Sequence, residues 1–152
     1  MTDLAYEGGC LCGAVRYRCS AKPFVAYTCH CQACQRLTSS AFATSMHVAT
    51  EALDLYLGDV VIAERLADSG NALKTSRCAQ CGTALFILNS ARPRAITVLV
   101  GTLDEPRRAD VDVHIWTKRK LPWVRLPEEH KSYPEAGDFR RYYADDPSRL
   151  VP

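Results

Sequence analysis

Seven of the eight cysteines in this 152-residue chain fall into three tight groups. Cys29, Cys31 and Cys34 form one cluster, Cys10 and Cys12 a C-x-C pair, and Cys78 and Cys81 a C-x-x-C pair. A single tight turn can aim thiolates at such spacing at one point, as a tetrahedral divalent metal requires. The count divides into a site of four thiolates and a site of three. A site closed by four offers a substrate no coordination position and is structural. A site of three has a vacancy, and chemistry can take place there. Gly82 follows Cys81 as Gly13 follows Cys12, and glycine permits the positive φ that such a metal knuckle needs.

Other readings of these cysteines are weaker. A redox C-x-x-C pair sits in a βαβ setting, and no such alternation is present. Iron–sulfur clusters also use thiolates, but common cluster runs are spaced differently and take four ligands, so zinc comes first. Haem attachment needs histidine after the second cysteine, whereas Gln35 follows Cys34. His30 is a candidate fourth ligand, but on extended backbone it would point away from its neighbours' sulfurs. Cys19, the odd cysteine, reads as a small core residue.

The length favours one domain, 1–152. Hydrophobic residues make up 47% of the chain, enough for a core, and a net charge of +2 is too weak for a general polyanion binder. No apolar stretch is long enough to span a membrane. The opening residues lack the basic and apolar regions of a signal peptide. A cytoplasmic protein is expected, and in a reducing compartment eight cysteines read as metal ligands before disulfides.

The elements that must position the cysteines are short and β-like. Alternating runs predict strands over 13–19, 24–28, 42–48, 53–57, 60–66, 73–77, 83–88, 96–100 and 111–116, with a helical turn over 31–37. The 53–57 run ends at Gly58-Asp59, a turn signal, and 60–66 would return as its hairpin partner. From Pro122 onward prolines interrupt any long element. This irregular tail would wrap the surface, anchored by Trp123, Phe139, Tyr142 and Tyr143. About ten short strands with almost no helical period predict an all-β domain.

The ordered set C-x-C, C-H-C-x-x-C, C-x-x-C-G resembles the glutathione-dependent formaldehyde-activating enzyme family, which includes the centromere protein V relatives. Further matching segments are Gly8-Gly9-Cys10-Leu11-Cys12-Gly13-Ala14-Val15, Arg77-Cys78-Ala79-Gln80-Cys81-Gly82-Thr83, Val100-Gly101-Thr102-Leu103-Asp104 and His114-Ile115-Trp116, so the resemblance covers about 8–127. It implies a β-tent fold of antiparallel sheets around two zinc ions. By the same resemblance Cys10, Cys12, Cys78 and Cys81 hold a structural zinc. Cys29, Cys31 and Cys34 hold a second, catalytic one, which is not necessarily filled at rest. The implied activity is that of a carbon–sulfur lyase joining formaldehyde to glutathione as S-(hydroxymethyl)glutathione. One position departs from the pattern: five residues past the last cysteine of the cluster the family carries glycine, and here it is Ser39.

The expected partners are therefore a small thiol such as glutathione and a small aldehyde, presented to each other at the three-cysteine zinc. Glutathione's two carboxylates need cations, for which Arg36, Lys74, Arg77 and the Lys118-Arg119-Lys120 run are candidates beside their plainer role as solvated surface. His114 and Trp116, on one face of a strand, are expected to border the substrate pocket, with His114 able to shuttle a proton. The competing readings are a non-catalytic zinc module and a glutathione carrier without turnover. A nucleic-acid partner is disfavoured, because basic and aromatic residues do not interleave.

Overall fold

The computed structural model describes residues 5–143. Eleven strands and one α-helix occur in the order β1 (Tyr6–Gly9), β2 (Arg16–Cys19), β3 (Val25–Cys29), α1 (Gln32–Thr38), β4 (Ala43–Ala49), β5 (Leu53–Leu57), β6 (Val60–Leu66), β7 (Ala72–Cys78), β8 (Ala84–Asn89), β9 (Ala95–Leu99), β10 (Val113–Ile115) and β11 (Lys131–Ser132). They form a three-stranded sheet, β1-β2-β5, and an eight-stranded sheet, β11-β10-β3-β4-β9-β8-β7-β6. The all-β expectation holds. The antiparallel expectation holds everywhere except around β10, which runs parallel to both β3 and β11. The chain reaches β10 by a long crossing rather than a hairpin, and only such a connection permits parallel pairing.

The predicted 53–57/60–66 hairpin does not form. β5 pairs with β2 in the small sheet, and β6 pairs with β7 along seven register positions from Val60↔Cys78 to Leu66↔Ala72. Gly58, at φ +84°, carries the chain from one sheet to the other. The β6–β7 ladder is longer than any pairing β5 could offer, so two strands adjacent in sequence separate.

β3 is buried along its whole length and divides the interior by its period of two. Ala26 faces a cluster that includes Met46, Val98, Phe86 and, from the small sheet, Tyr17 and Cys19. Val25, Tyr27 and Cys29 face a second cluster with Val113 and Ile115. Cys19 is fully buried in the first cluster, as its mid-strand position predicted. In the tail, Tyr143 is fully buried, and Phe139 and Tyr142 pack on the second cluster. Trp123 is 69% exposed and anchors nothing; it sits in a turn that lies away from both clusters.

Two of the segments shared with the family dock the small sheet on the large one. Thr102 Oγ1 meets the Tyr17 hydroxyl at 2.7 Å and donates to Leu99 O, and Asp104 takes both Nη atoms of Arg16. A Cβ at Gly8 would lie 2.4 Å from the Tyr17 hydroxyl and 2.5 Å from Thr102 O, so only glycine lets these backbones approach.

Ser39 is the C-cap of α1 in left-handed conformation, φ 50° and ψ 38°, with its N–H donated to Gln35 O. The family's glycine there is accounted for by helix termination, where a side chain costs about 1 kcal/mol relative to glycine. Ser39→Gly is expected to raise the thermal midpoint by about 2–4 °C for a chain of this size; an unchanged or lowered midpoint would show that the cap is not strained. Arg16 holds the Asp104 carboxyl below its usual range. A depressed folded pKa contributes stability above the unfolded value of about 3.9, and that contribution is lost as pH falls through the folded value. The pair is partly exposed, so Asp104→Asn should cost under about 1 kcal/mol at neutral pH. In denaturant titrations the gap to the parent protein should close as pH falls through the lowered carboxyl value.

Candidate metal centres

The first centre joins the two sheets. Cys10 follows β1, Cys12 lies in the turn before β2, Cys78 ends β7, and Cys81 lies in the turn before β8. Their four sulfurs lie within 4.8 Å of one another, with Cys10–Cys12 at 3.5 Å and Cys12–Cys78 at 3.8 Å. A tetrahedral ion with metal–sulfur bonds near ~2.3 Å sets its sulfurs about 3.8 Å apart. Both turns are knuckles of one design. Gly13 N–H returns to Cys10 O and Gly82 N–H to Cys78 O, with Gly13 at φ 79° and Gly82 at φ 74°. Amide N–H groups point at the sulfurs: Val15 at Cys10 (3.2 Å), and Gln80 and Cys81 at Cys78 (3.4 Å each). Such donors favour the charged thiolate, the form a metal binds. The Thr83 hydroxyl and then backbone amides lower the Cys81 thiol to about 5.

The second centre lies at the end of β3, on the face of the second apolar cluster. Cys29 closes the strand, Cys31 is the N-cap of α1 with its sulfur accepting Cys34 N–H at 3.3 Å, and Cys34 lies one turn on. The strand-to-helix change brings three sulfurs within 4.8 Å, and no fourth His, Cys, Asp or Glu donor among the described residues joins them. Cys29 is buried, while Cys31 and Cys34 are half-buried. Hydrogen bonds from Cys29 and then Cys34 pull the Cys31 thiol strongly down, while those of its neighbours and then burial push Cys29 up. Arg65, from the far edge strand β6, bears electrostatically on Cys34.

His30 is fully buried between two of these cysteines and belongs to a different system. Its Nε2 meets Thr28 Oγ1 at 2.9 Å, Thr28 Oγ1 meets His114 Nδ1 at 2.6 Å, and His114 Nε2 meets His130 Nδ1 at 3.0 Å. This row lies on the side of β3 and β10 away from Val113, Ile115 and the sulfurs. His30 Nδ1 has no partner among the described residues. His114 and Trp116 are consequently not neighbours on one face. The strand ends at Ile115, and Trp116 turns to φ 57° and ψ 35° and packs on the sulfur-side cluster with Cys31 and Cys34.

A third polar group, which the sequence did not suggest, also lies on the sulfur side. His47 Nε2 meets the Tyr27 hydroxyl at 2.9 Å, Nδ1 meets the Tyr143 hydroxyl at 2.6 Å, and Arg92 lies against the ring. Burial, then Arg92, pushes the His47 pKa well below its usual range. Thr28 and His30, two apart on one strand, could have been paired from periodicity. Nothing local links His47 to Tyr143 or His114 to His130.

The sequence model of the glutathione-dependent formaldehyde-activating enzyme family matches residues 5–119, which hold all seven clustered cysteines. The chain belongs to this family. A Halomonas elongata protein, provisionally named a glutathione-dependent formaldehyde-activating enzyme, is 24% identical over 137 residues, covering 86% of this chain and 87% of that one. A Rhodobacter sphaeroides protein of known crystal structure shares the fold with a TM-score of 0.53 at 19% identity, over 84% of this chain and 98% of its own. Among the described residues of this family member no helix is long and apolar enough to cross a membrane.

Each cluster is expected to take up one divalent ion. Plasma emission spectroscopy should find two per chain and about one in Cys31→Ser or Cys78→Ser. Only Cys78→Ser should lower the thermal midpoint strongly, because only that centre ties the sheets together. Equal loss of stability in both variants would contradict this division.

Proposed function

We propose that this chain is a zinc-dependent carbon–sulfur lyase of the S-(hydroxymethyl)glutathione synthase type, which presents the thiolate of glutathione or a similar small thiol to a small aldehyde. The observation that carries the reading is the three-sulfur convergence at Cys29, Cys31 and Cys34 with no fourth protein donor among the described residues. Three soft thiolates fit zinc, and a zinc so held supplies the positive charge that keeps a bound thiol ionised at neutral pH. Cys10, Cys12, Cys78 and Cys81 would hold a second zinc in a closed, structural site.

The residues of this chain supply position and access. Cys29 anchors the cluster in the core, while Cys31 and Cys34 are half-buried and would be the ligands nearest an incoming thiol. Trp116 borders these two, and His114 acts from behind the strand, holding Thr28 and through it His30. In the reaction the thiol loses its proton to solvent and the thiolate sulfur attacks the aldehyde carbon. A carbon–sulfur bond forms, the carbonyl π pair moves to oxygen, and that oxygen takes a proton from water. Nothing is oxidised or reduced. None of the eight cysteines is joined in a disulfide, and we place the protein in a reducing cytoplasm, where thiolates stay available to metal.

Adduct formation between glutathione and formaldehyde, followed by NMR, should be accelerated by the zinc-loaded protein. Cys31→Ala should lower the rate at least about 100-fold, since it removes a ligand of the proposed site. Saturable thiol binding without acceleration would identify a carrier, and equal rates in parent and variant would refute catalysis at this cluster.

A further inference from the structure

Trp116 is the one large aromatic residue in left-handed backbone among the described residues, a conformation that bulky side chains avoid. It persists because the chain returning from β11 clamps it. Trp116 N–H donates to Glu135 O at 2.9 Å, Thr117 N–H to Tyr133 O at 3.1 Å and Lys118 N–H to Pro134 O at 3.3 Å. The clamp belongs to a strap, residues 131–143, which lies beyond the segment matched by the family. The turn directs the indole onto the cluster that carries Cys31 and Cys34, and the strap adds Tyr133, Phe139 and Tyr142 to the same cluster. All six residues are half-buried, so apolar surface remains beside the accessible sulfurs. The Tyr142 hydroxyl has no hydrogen-bond partner among the described residues.

Most of the cations singled out in the sequence for a dicarboxylate are engaged elsewhere. Lys118 is paired with Glu135, and Lys74 lies 3.6 Å from Glu64. Lys120 Nζ donates to Val124 O at 2.7 Å, and Arg77 Nη1 to Gly82 O at 3.2 Å. Of the basic residues singled out in the sequence, Arg36 and Arg119 remain, both on exposed surface. Arg65 bears on Cys34, Arg141 lies 5.2 Å over the Tyr142 ring and Lys118 5.2 Å over Trp116, so cations flank the cluster, but the surface packed against Cys31 and Cys34 is aromatic.

We infer that the strap, acting through Trp116, makes the three-cysteine site selective for thiols with an apolar, aromatic-sized substituent next to sulfur. The inference rests on the thiolate-presenting reading and narrows its substrate class. Trp116 is the specificity-determining residue, in contact with the substituent, and the strap residues are positioning residues that hold it there.

Isothermal titration of the zinc-loaded protein with benzyl mercaptan, 2-mercaptoethanol and glutathione tests this. Benzyl mercaptan is expected to bind at least about tenfold more tightly than either of the others, from partial burial of its ring. Trp116→Gly suits the left-handed backbone and removes the indole. It should abolish the preference while leaving metal content unchanged. Phe139→Leu, a milder change within the strap, should reduce the preference in part. Equal affinities for the three thiols, or a preference that survives Trp116→Gly, would overturn the inference and leave the thiolate-presenting reading intact. Binding of no thiol would end both.

Discussion

Convergent sulfur is the constraint on which the rest of this structure depends. Thiolates at van der Waals separation repel one another, and only a shared cation or a shared proton holds them together. Both centres therefore sit where backbone amides point inward, at knuckles after β1 and β7 and at the start of α1. The four-sulfur centre couples two sheets that also meet through a shared apolar cluster and the Tyr17–Thr102 and Arg16–Asp104 contacts. The three-sulfur centre ties no sheets together and has no fourth protein donor among the described residues.

The alternation of β3 organises the surroundings of the second centre. Tyr27 and Cys29 face the sulfur side, and Thr28 and His30 face the other. One strand thus supports an apolar, aromatic environment around the three sulfurs and a separate hydrogen-bonded row that runs from His30 to His130. His30, although between two ligand cysteines, belongs to the row because residues adjacent on a strand point to opposite sides.

Among the described residues two non-glycines have positive φ, Ser39 and Trp116. Ser39 ends the helix that carries Cys34, and the cost of its conformation is local. Trp116 is held by hydrogen bonds from residues 133–135, so its conformation depends on the folded strap. The tail is thereby part of the site's wall: Tyr143 inserts beneath it onto His47, and Phe139 packs against Tyr27 and His47.

Local sequence was enough to locate the cysteine clusters, the knuckle glycines and most strands, because each depends on spacing over a few residues. C-x-C, C-x-x-C and alternation of period two are geometric statements about one short segment. Partnership between distant segments was not legible in the same way. β5 and β6 part company because β6 finds a longer ladder with β7, and β10 joins β3 in parallel because the chain crosses over first. The turn at Trp116 separates it from His114, although their spacing of two suggested a common face; the clamp responsible lies about twenty residues onward and leaves no local mark. The residues themselves determined which atoms could bind a metal and roughly what chemistry follows. Tertiary structure alone decided what faces those atoms, because hydrogen bonds and packing between remote segments override the periodicity of any one strand.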